Sequence, residues 1–189
     1  MARILIIGIG NNLRSDDGVG WHVAQELSGQ LSASDVNVIA TQQLMPEIAE
    51  TISRAEVVLF VDATHAGEPG GVRGQRVAPA NGSRRDSHHL SPSGVLKLAG
   101  EIYQRYPQAF LLTVTGESFA MGERLSQAVS DALPAVRREI ERFVFGARSG
   151  ESAGLEVFSE KISGYRSARS RSSPLALRSS MTSGIAPIA

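Results

Sequence analysis

Ile4-Leu5-Ile6-Ile7-Gly8-Ile9-Gly10-Asn11-Asn12-Leu13-Arg14-Ser15-Asp16-Asp17-Gly18-Val19-Gly20 decides the architecture of this chain. Its first four residues are apolar and mostly β-branched, with no polar alternation. They read as a strand buried on both faces, as in a parallel sheet. The run ends at Gly8 and gives way to a polar loop. Val19, Val23, Ala24 and Leu27 then recur at helical spacing, and Asp16 or Asp17 could cap that helix. Strand, loop and amphipathic helix in this order open a βαβ unit.

The same alternation continues along the chain. A second strand is expected over 36–40, and a short helix near Pro46 with Ile48, Ala49 and Ile52 on one face. Val57-Val58-Leu59-Phe60-Val61 is the second strongly apolar run, ending at Asp62. Gly67, Pro69, Gly70 and Gly71 make a turn. An edge strand over 72–77 and a polar loop over 79–89 come next. Ser91-Pro92 has the form of an N-cap with proline at the first helical position, and Val95, Leu98, Ala99 and Ile102 are that helix's apolar stripe. Pro107 precedes a further buried strand over 109–114. Leu125, Ala128, Val129 and Ala132 begin a last helical region. Pro134 should kink it, or start a second helix carrying Val136, Ile140 and Phe143. The pattern predicts one domain over 1–146, an α/β three-layer sandwich whose mostly parallel sheet is flanked by helices. Residues 147–189 are rich in serine and arginine without apolar period and read as a flexible tail. A short strand or helix around Leu155-Glu156-Val157-Phe158 is the one element expected there.

Composition narrows the function. The 189 residues are 42% hydrophobic and 20% charged, ordinary for a globular protein. Nineteen basic residues balance nineteen acidic ones. No global field attracts nucleic acid or an anionic membrane. The chain has no cysteine, which excludes disulfides, thiolate metal sites and cysteine-protease chemistry. Any tight metal site must use His, Asp, Glu or a partner's ligands. The apolar run at the N-terminus is too short for a signal peptide core, and no later run reaches a membrane span of ~20 residues. The expected location is the cytoplasm.

In open α/β sheets, sites collect at the carboxyl ends of the strands. Three such ends are candidates: the loop Gly8 to Asp17, Asp62, and Thr115-Gly116-Glu117. Gly8-x-Gly10 could serve a dinucleotide, but Leu13 stands at the third glycine position and Thr41 where an acidic residue would be needed. Asp16 and Asp17 could be helix caps. Gly18 and Gly20 directly after them imply that something approaches this helix end closely. Asp62 could be a solvated strand terminus or a carboxylate aimed into the cleft. His88 and His89 could be loop residues or metal ligands. His22 is expected on a helix's polar side, and His65 is a possible neighbour of Asp62. Neither Gly-x-Ser-x-Gly nor His-Glu-x-x-His is present. Two Asp and one His could hold a divalent first-row metal with positions left open.

These segments also resemble the motifs of the nickel–iron hydrogenase maturation proteases. Gly8-Ile9-Gly10-Asn11-Asn12-Leu13-Arg14-Ser15-Asp16-Asp17-Gly18-Val19-Gly20 is similar to the family's opening motif. Val58 to Ala63 resembles its apolar strand ending in Asp-Ala, and Ser87-His88-His89-Leu90-Ser91-Pro92 its histidine element. Gly116-Glu117-Ser118 and Gly122-Glu123-Arg124-Leu125-Ser126 resemble its later elements. The match runs in order over about residues 2–145.

The resemblance implies metal contacts at Asp17, Asp62 and His88, with His89 as the alternative to His88. It implies a peptidase, of aspartic type in its use of Asp17 or Asp62 as general base. Gly10, Asn11 and Gly18 would shape the loop near the scissile carbonyl. The implied substrate is the large-subunit precursor of a nickel–iron hydrogenase, cut once near its C-terminus after nickel insertion. The nickel would be carried by the substrate and no permanent cofactor is expected. A monomer that binds neither nucleic acid nor membrane is expected. The alternative is a nickel-binding or nickel-sensing accessory protein with the same cleft and no cleavage.

Overall fold

The computed structural model describes residues 4–30, 35–81 and 90–150. In chain order the elements are β1 (Ile4–Ile9), a 3-10 turn (Ser15–Gly18), α1 (Val19–Gln30), β2 (Val36–Thr41), α2 (Ile48–Arg54), β3 (Val57–Thr64), β4 (Val72–Val77), α3 (Pro92–Tyr103), β5 (Gln108–Thr115) and α4 (Gln127–Ser149). The five strands form one sheet in the order β2-β1-β3-β5-β4. All neighbours are parallel except β4, which joins the edge antiparallel to β5. The chain is the α/β three-layer sandwich that its alternation of apolar runs predicts.

Burial on both faces explains why the central strands read as unbroken apolar runs. Ile4, Ile6, Leu59, Val61, Phe110 and Leu112 belong to one core, which α1 covers with Val19, Val23 and Leu27 and α4 with Val129, Val136, Ile140 and Phe143. Leu5, Ile7, Val58 and Phe60 belong to the other, covered by Ala49 and Ile52 of α2 and by Val95, Leu96 and Ala99 of α3. Side chains alternate across a strand, so each central strand feeds both cores.

Four local expectations are corrected. β3 does not end before Asp62; it runs to Thr64, because β5 pairs with it over all eight residues. Its pairing with β1 stops at Gly8 opposite Val61. Asp62, Ala63 and Thr64 therefore overhang the pairing with β1. In α3, Leu96 is buried, whereas Ile102 is 58% exposed; the helix lifts off the core in its last turn. Pro134 lies inside a single helix, α4. One missing N–H is outweighed by an apolar stripe that continues through Val129, Ala132, Val136, Ile140 and Phe143. That helix also passes residue 146: Ala147 is buried, and Arg148 forms a two-pronged ion pair with Asp35 at 2.7 and 2.9 Å. The expected tail and its short element at Leu155 to Phe158 lie outside the described residues. Among the described residues, no helix is long and apolar enough to cross a membrane.

What approaches the start of α1 is the sheet itself. A Cβ on Gly20 would stand 2.2 Å from the Val61 carbonyl oxygen and 2.4 Å from that of Ile9. Alanine is ordinarily the better helix residue by about 1 kcal/mol. Here the contacting atoms are backbone and cannot swing aside. Gly20→Ala is expected to lose roughly 2–3 kcal/mol instead, seen as a lower urea midpoint with an unchanged slope.

Candidate active site

Three strand ends meet at the carboxyl edge of the sheet. The loop after β1 is folded upon itself by its own backbone. Gly10 has φ +141, and a Cβ there would stand 1.7 Å from the Asp17 carbonyl oxygen. Gly18 is buried, its Cα so near the loop that a Cβ would meet Asn12 Cα at 2.8 Å. The Gly10 N–H donates to the Thr41 carbonyl at 3.0 Å, and the Asn11 N–H donates to Asp17 Oδ2 at 3.0 Å. Asn11 Oδ1 accepts from the Leu13 N–H at 3.0 Å, and the Asn11 carbonyl from the Arg14 N–H at 3.0 Å.

These bonds answer the nucleotide reading. A dinucleotide loop presents free N–H groups to a pyrophosphate. In this loop the corresponding donors are engaged, and a carboxylate occupies the place an anion would need. The Gly10 and Asn11 N–H groups are likewise not aimed at an oxyanion. Gly10, Asn11 and Gly18 set the shape of the loop that carries Asp17.

The two candidate carboxylates sit in different environments. Asp17 is half-buried at the end of the 3-10 turn and is held by the Asn11 N–H. Asp62 lies on the overhanging end of β3, opposite Thr113 of β5. It shares strand parity with Val58 and Phe60, so it belongs to the sheet face covered by α2 and α3. Burial pushes the Asp62 carboxyl up to about 6. The Ala63 N–H, 2.8 Å from Oδ1, opposes that rise, and the nearby Asp17 charge adds to it. Such a group changes protonation near neutral pH, the range useful to a general acid or base.

The other candidates fall differently. His88 and His89 lie outside the described residues. Leu90 forms an isolated bridge with Leu44 and packs against the Asp62 face of the sheet. Ser91 then caps α3 as expected, its hydroxyl accepting from the Gly94 N–H at 3.1 Å. His65 is exposed and stacks on Phe119, centroids 3.7 Å apart. His22 is not on a polar face. It is half-buried, its Nε2 has no hydrogen-bond partner, and burial lowers its pKa. Among the described residues, no three His, Cys, Asp or Glu side chains converge to hold a metal ion. The described part of the site offers two carboxylates, oxygen donors of the kind a divalent first-row cation accepts.

Asp16 does not cap the helix that follows it. It is completely buried, and it accepts from the Glu117, Ser118 and Ser126 N–H groups at 2.8, 2.9 and 2.7 Å. Burial alone would raise its pKa, but the bonds from Ser118, Ser126 and Glu117 outweigh this and hold it below the ordinary carboxylate value. Ser126 caps α4 through its hydroxyl, accepting from the Val129 N–H at 3.3 Å. Neither Ser126 nor the 117–118 turn stands out in the sequence as a partner of Asp16. The one local signal is a serine placed directly before an apolar stripe at helical spacing.

No family model and no curated protein sequence matches the chain. Its fold is similar to that of the NiFe hydrogenase maturation protease HycI from Thermococcus kodakarensis, with TM-score 0.62 and 26% identity over 74% of this chain and 90% of that one. It is also similar to the hydrogenase maturating endopeptidase HybD from E. coli, with TM-score 0.59 and 21% identity over 79% and 94% of the two chains. A hydrogenase 2 maturation peptidase from a Thaumarchaeota archaeon gives TM-score 0.55 and 24% identity over 75% and 97%. The last two likenesses speak to the fold alone.

Proposed function

We propose that this chain, a hydrogenase maturation protease by its fold and its ordered motifs, is an endopeptidase that removes a C-terminal peptide from the nickel-loaded large-subunit precursor of a nickel–iron hydrogenase. The observation that carries the reading is the meeting of Asp17 and Asp62. They come from different loops, 45 residues apart by their numbers, and stand close enough for one charge to shift the other's titration. Similarity to HycI supplies the reaction class.

In the proposed mechanism nickel is cargo of the substrate. Asp17, Asp62 and His88 face it and so bring the scissile bond into the cleft. The position of Leu90 on the Asp62 face supports the part given to His88, two residues earlier. Water is the nucleophile in this reading, since the sequence has no cysteine and no Gly-x-Ser-x-Gly motif. Asp62 is taken as the general base, because burial holds its carboxyl near neutrality. Its carboxylate takes a proton from water as the oxygen adds to the scissile carbonyl carbon. It returns that proton to the departing nitrogen as the C–N bond breaks. Asp17 stands beside it, its carboxylate held in place by the Asn11 N–H. The enzyme belongs to the aspartic type in this sense only: carboxylates do the proton work.

The test is the intact mass of a cognate, nickel-loaded precursor incubated with wild type and with His88→Ala. A discrete loss of the C-terminal peptide is expected with wild type, and at least about 100-fold slower loss with the variant. An unchanged precursor mass with wild type would favour the nickel-binding accessory protein. Wild-type rates with His88→Ala, and loss of cleavage with His89→Ala, would move the ligand by one residue.

A further inference from the structure

We infer that Asp16 is the positioning residue of this site: its carboxylate locks the loop after β5 onto the loop after β1 and thereby aims Asp17. The inference rests on the endopeptidase reading above. Asp16 has no exposed surface and cannot reach a substrate. Both of its oxygens are engaged, Oδ2 by the Glu117 and Ser118 N–H groups and Oδ1 by that of Ser126. All three donors lie more than 100 residues along the chain, on the segment that links β5 to α4.

The backbone makes the same join a second time. The Asp16 N–H donates to the Ser118 carbonyl at 3.0 Å, the Ser15 N–H to Gly122 at 2.7 Å, and the Gly122 N–H to Leu13 at 2.9 Å. Ser15 also donates its hydroxyl to the Ala120 carbonyl at 3.1 Å. Between these ties Ser15 is held at φ +48. A residue with a side chain keeps that conformation only where its surroundings over-determine it. Asp17 follows with almost no freedom left. Its carbonyl lies against Gly10 and its carboxylate accepts the Asn11 N–H.

A carboxylate is needed for this arrangement. It offers acceptor lone pairs on both oxygens, whereas an asparagine turns an NH2 toward one group of donors. Asp16→Asn keeps the size of the side chain but sets donor against donor in a buried place. The turn should shift to escape it, and Asp17 moves with the turn. Displacements of this order cost about 10- to 100-fold in rate.

The test uses full-length Asp16→Asn with a nickel-loaded precursor, beside wild type. A variant that unfolds cooperatively and keeps its near-ultraviolet circular dichroism should cleave about 10- to 100-fold more slowly at saturating precursor. Its KM should be little changed. The Asn11 amide resonance, which reports the Asp17 carboxylate without any turnover, should move or exchange faster. A folded Asp16→Asn with wild-type kcat would overturn the inference. So would a kcat loss with the Asn11 amide unmoved, which would make Asp16 a direct participant.

Should Asp16→Asn not fold, Ser126 carries the test. Its φ of −59 already suits proline, so Ser126→Pro deletes the N–H bonded to Oδ1 and leaves Asp16 in place. Ser126→Ala deletes the hydroxyl, with its cap and its own contact to Asp16, but keeps that N–H, so the two variants differ at Asp16 by the N–H alone. A slower kcat and a shifted Asn11 amide in the proline variant relative to the alanine variant support the inference; equal behaviour of the two overturns it. Absence of cleavage by wild type would count against the endopeptidase reading and leave the amide measurement standing.

Discussion

Asp62→Asn is expected to be inert toward the precursor and, at pH 7.5, more stable than wild type. Loss of the general base should slow cleavage by about 100- to 10 000-fold. The stability gain follows from the direction of the Asp62 shift. Burial raises the carboxyl from its ordinary 3.8 to about 6. A group raised in this way favours the fold fully below its unfolded value and loses that contribution as pH climbs through about 6. At pH 7.5 the ionised, half-buried carboxylate is a net cost. Its replacement by a neutral amide of the same shape should return roughly 2 kcal/mol. In urea titrations the gap between wild type and variant should therefore be absent near pH 4, open as pH rises through about 6, and stay constant above that. The kcat/KM of wild type should fall on the acid side of about 6, where Asp62 holds its proton. If the two proteins are equally stable at every pH, Asp62 is more solvated than the fold implies, and its fitness as a base near neutrality goes with it.

Such a trade is expected of a site and not of a core. The sequence carries signs of it, because a carboxylate at the end of Val57-Val58-Leu59-Phe60-Val61 is out of keeping with its surroundings. The strands were legible for the same reason. Burial on both faces removes polar residues from Ile4-Leu5-Ile6-Ile7 and from 57–61, and each run ends where solvent or a site begins. The motif order likewise brought Asp17 and Asp62 to one sheet edge, since parallel strands deliver their carboxyl ends to the same side.

What escaped the reading depends on contacts distant along the chain. Asp16 looks locally like a cap for the helix beginning at Val19, and its partners are instead at 117, 118 and 126. Spacing holds no information about which loop will fold over which. The overhang of β3 past its pairing with β1 is equally invisible, because strand length is set by the partner that pairs furthest, here β5. In α3 the expected apolar stripe holds at Val95 and Ala99, with Leu98 partly buried against the core, and fails only at Ile102, while Leu96 joins it. Leu96 and Ile102 are both good core residues, and only the angle at which the helix leaves the sheet decides that Leu96 is buried and Ile102 is not. Pro134 starts no second helix, because a single backbone bond cannot break a helix that buries a stripe on both sides of it.

Leu59→Asp should unfold or nearly unfold the domain. Leu59 is fully buried in β3, in register between Ile6 of β1 and Phe110 of β5. The side chains around it come from the core closed by α1 and α4. Losing the leucine alone forfeits about 2–3 kcal/mol of burial. The carboxylate adds a second cost: the neighbouring backbone N–H groups are committed to the sheet, so it must stay unpaired or take up a proton. The sum, about 4–6 kcal/mol, is comparable with the whole stability of many domains. In a domain of this size each kcal/mol lowers Tm by roughly 2–4 °C, so a fall of at least ~10 °C is expected wherever a transition survives. Leu13→Asp is the control, since Leu13 is 44% exposed and its substitution should change stability by no more than about 0.5 kcal/mol. Because a buried aspartate favours the fold only when protonated, the deficit of Leu59→Asp against wild type should shrink as pH falls toward 4. A normal Tm for Leu59→Asp at pH 7.5 would mean that this strand does not lie at the centre of the sheet, and the overhang that carries Asp62 would lose its foundation.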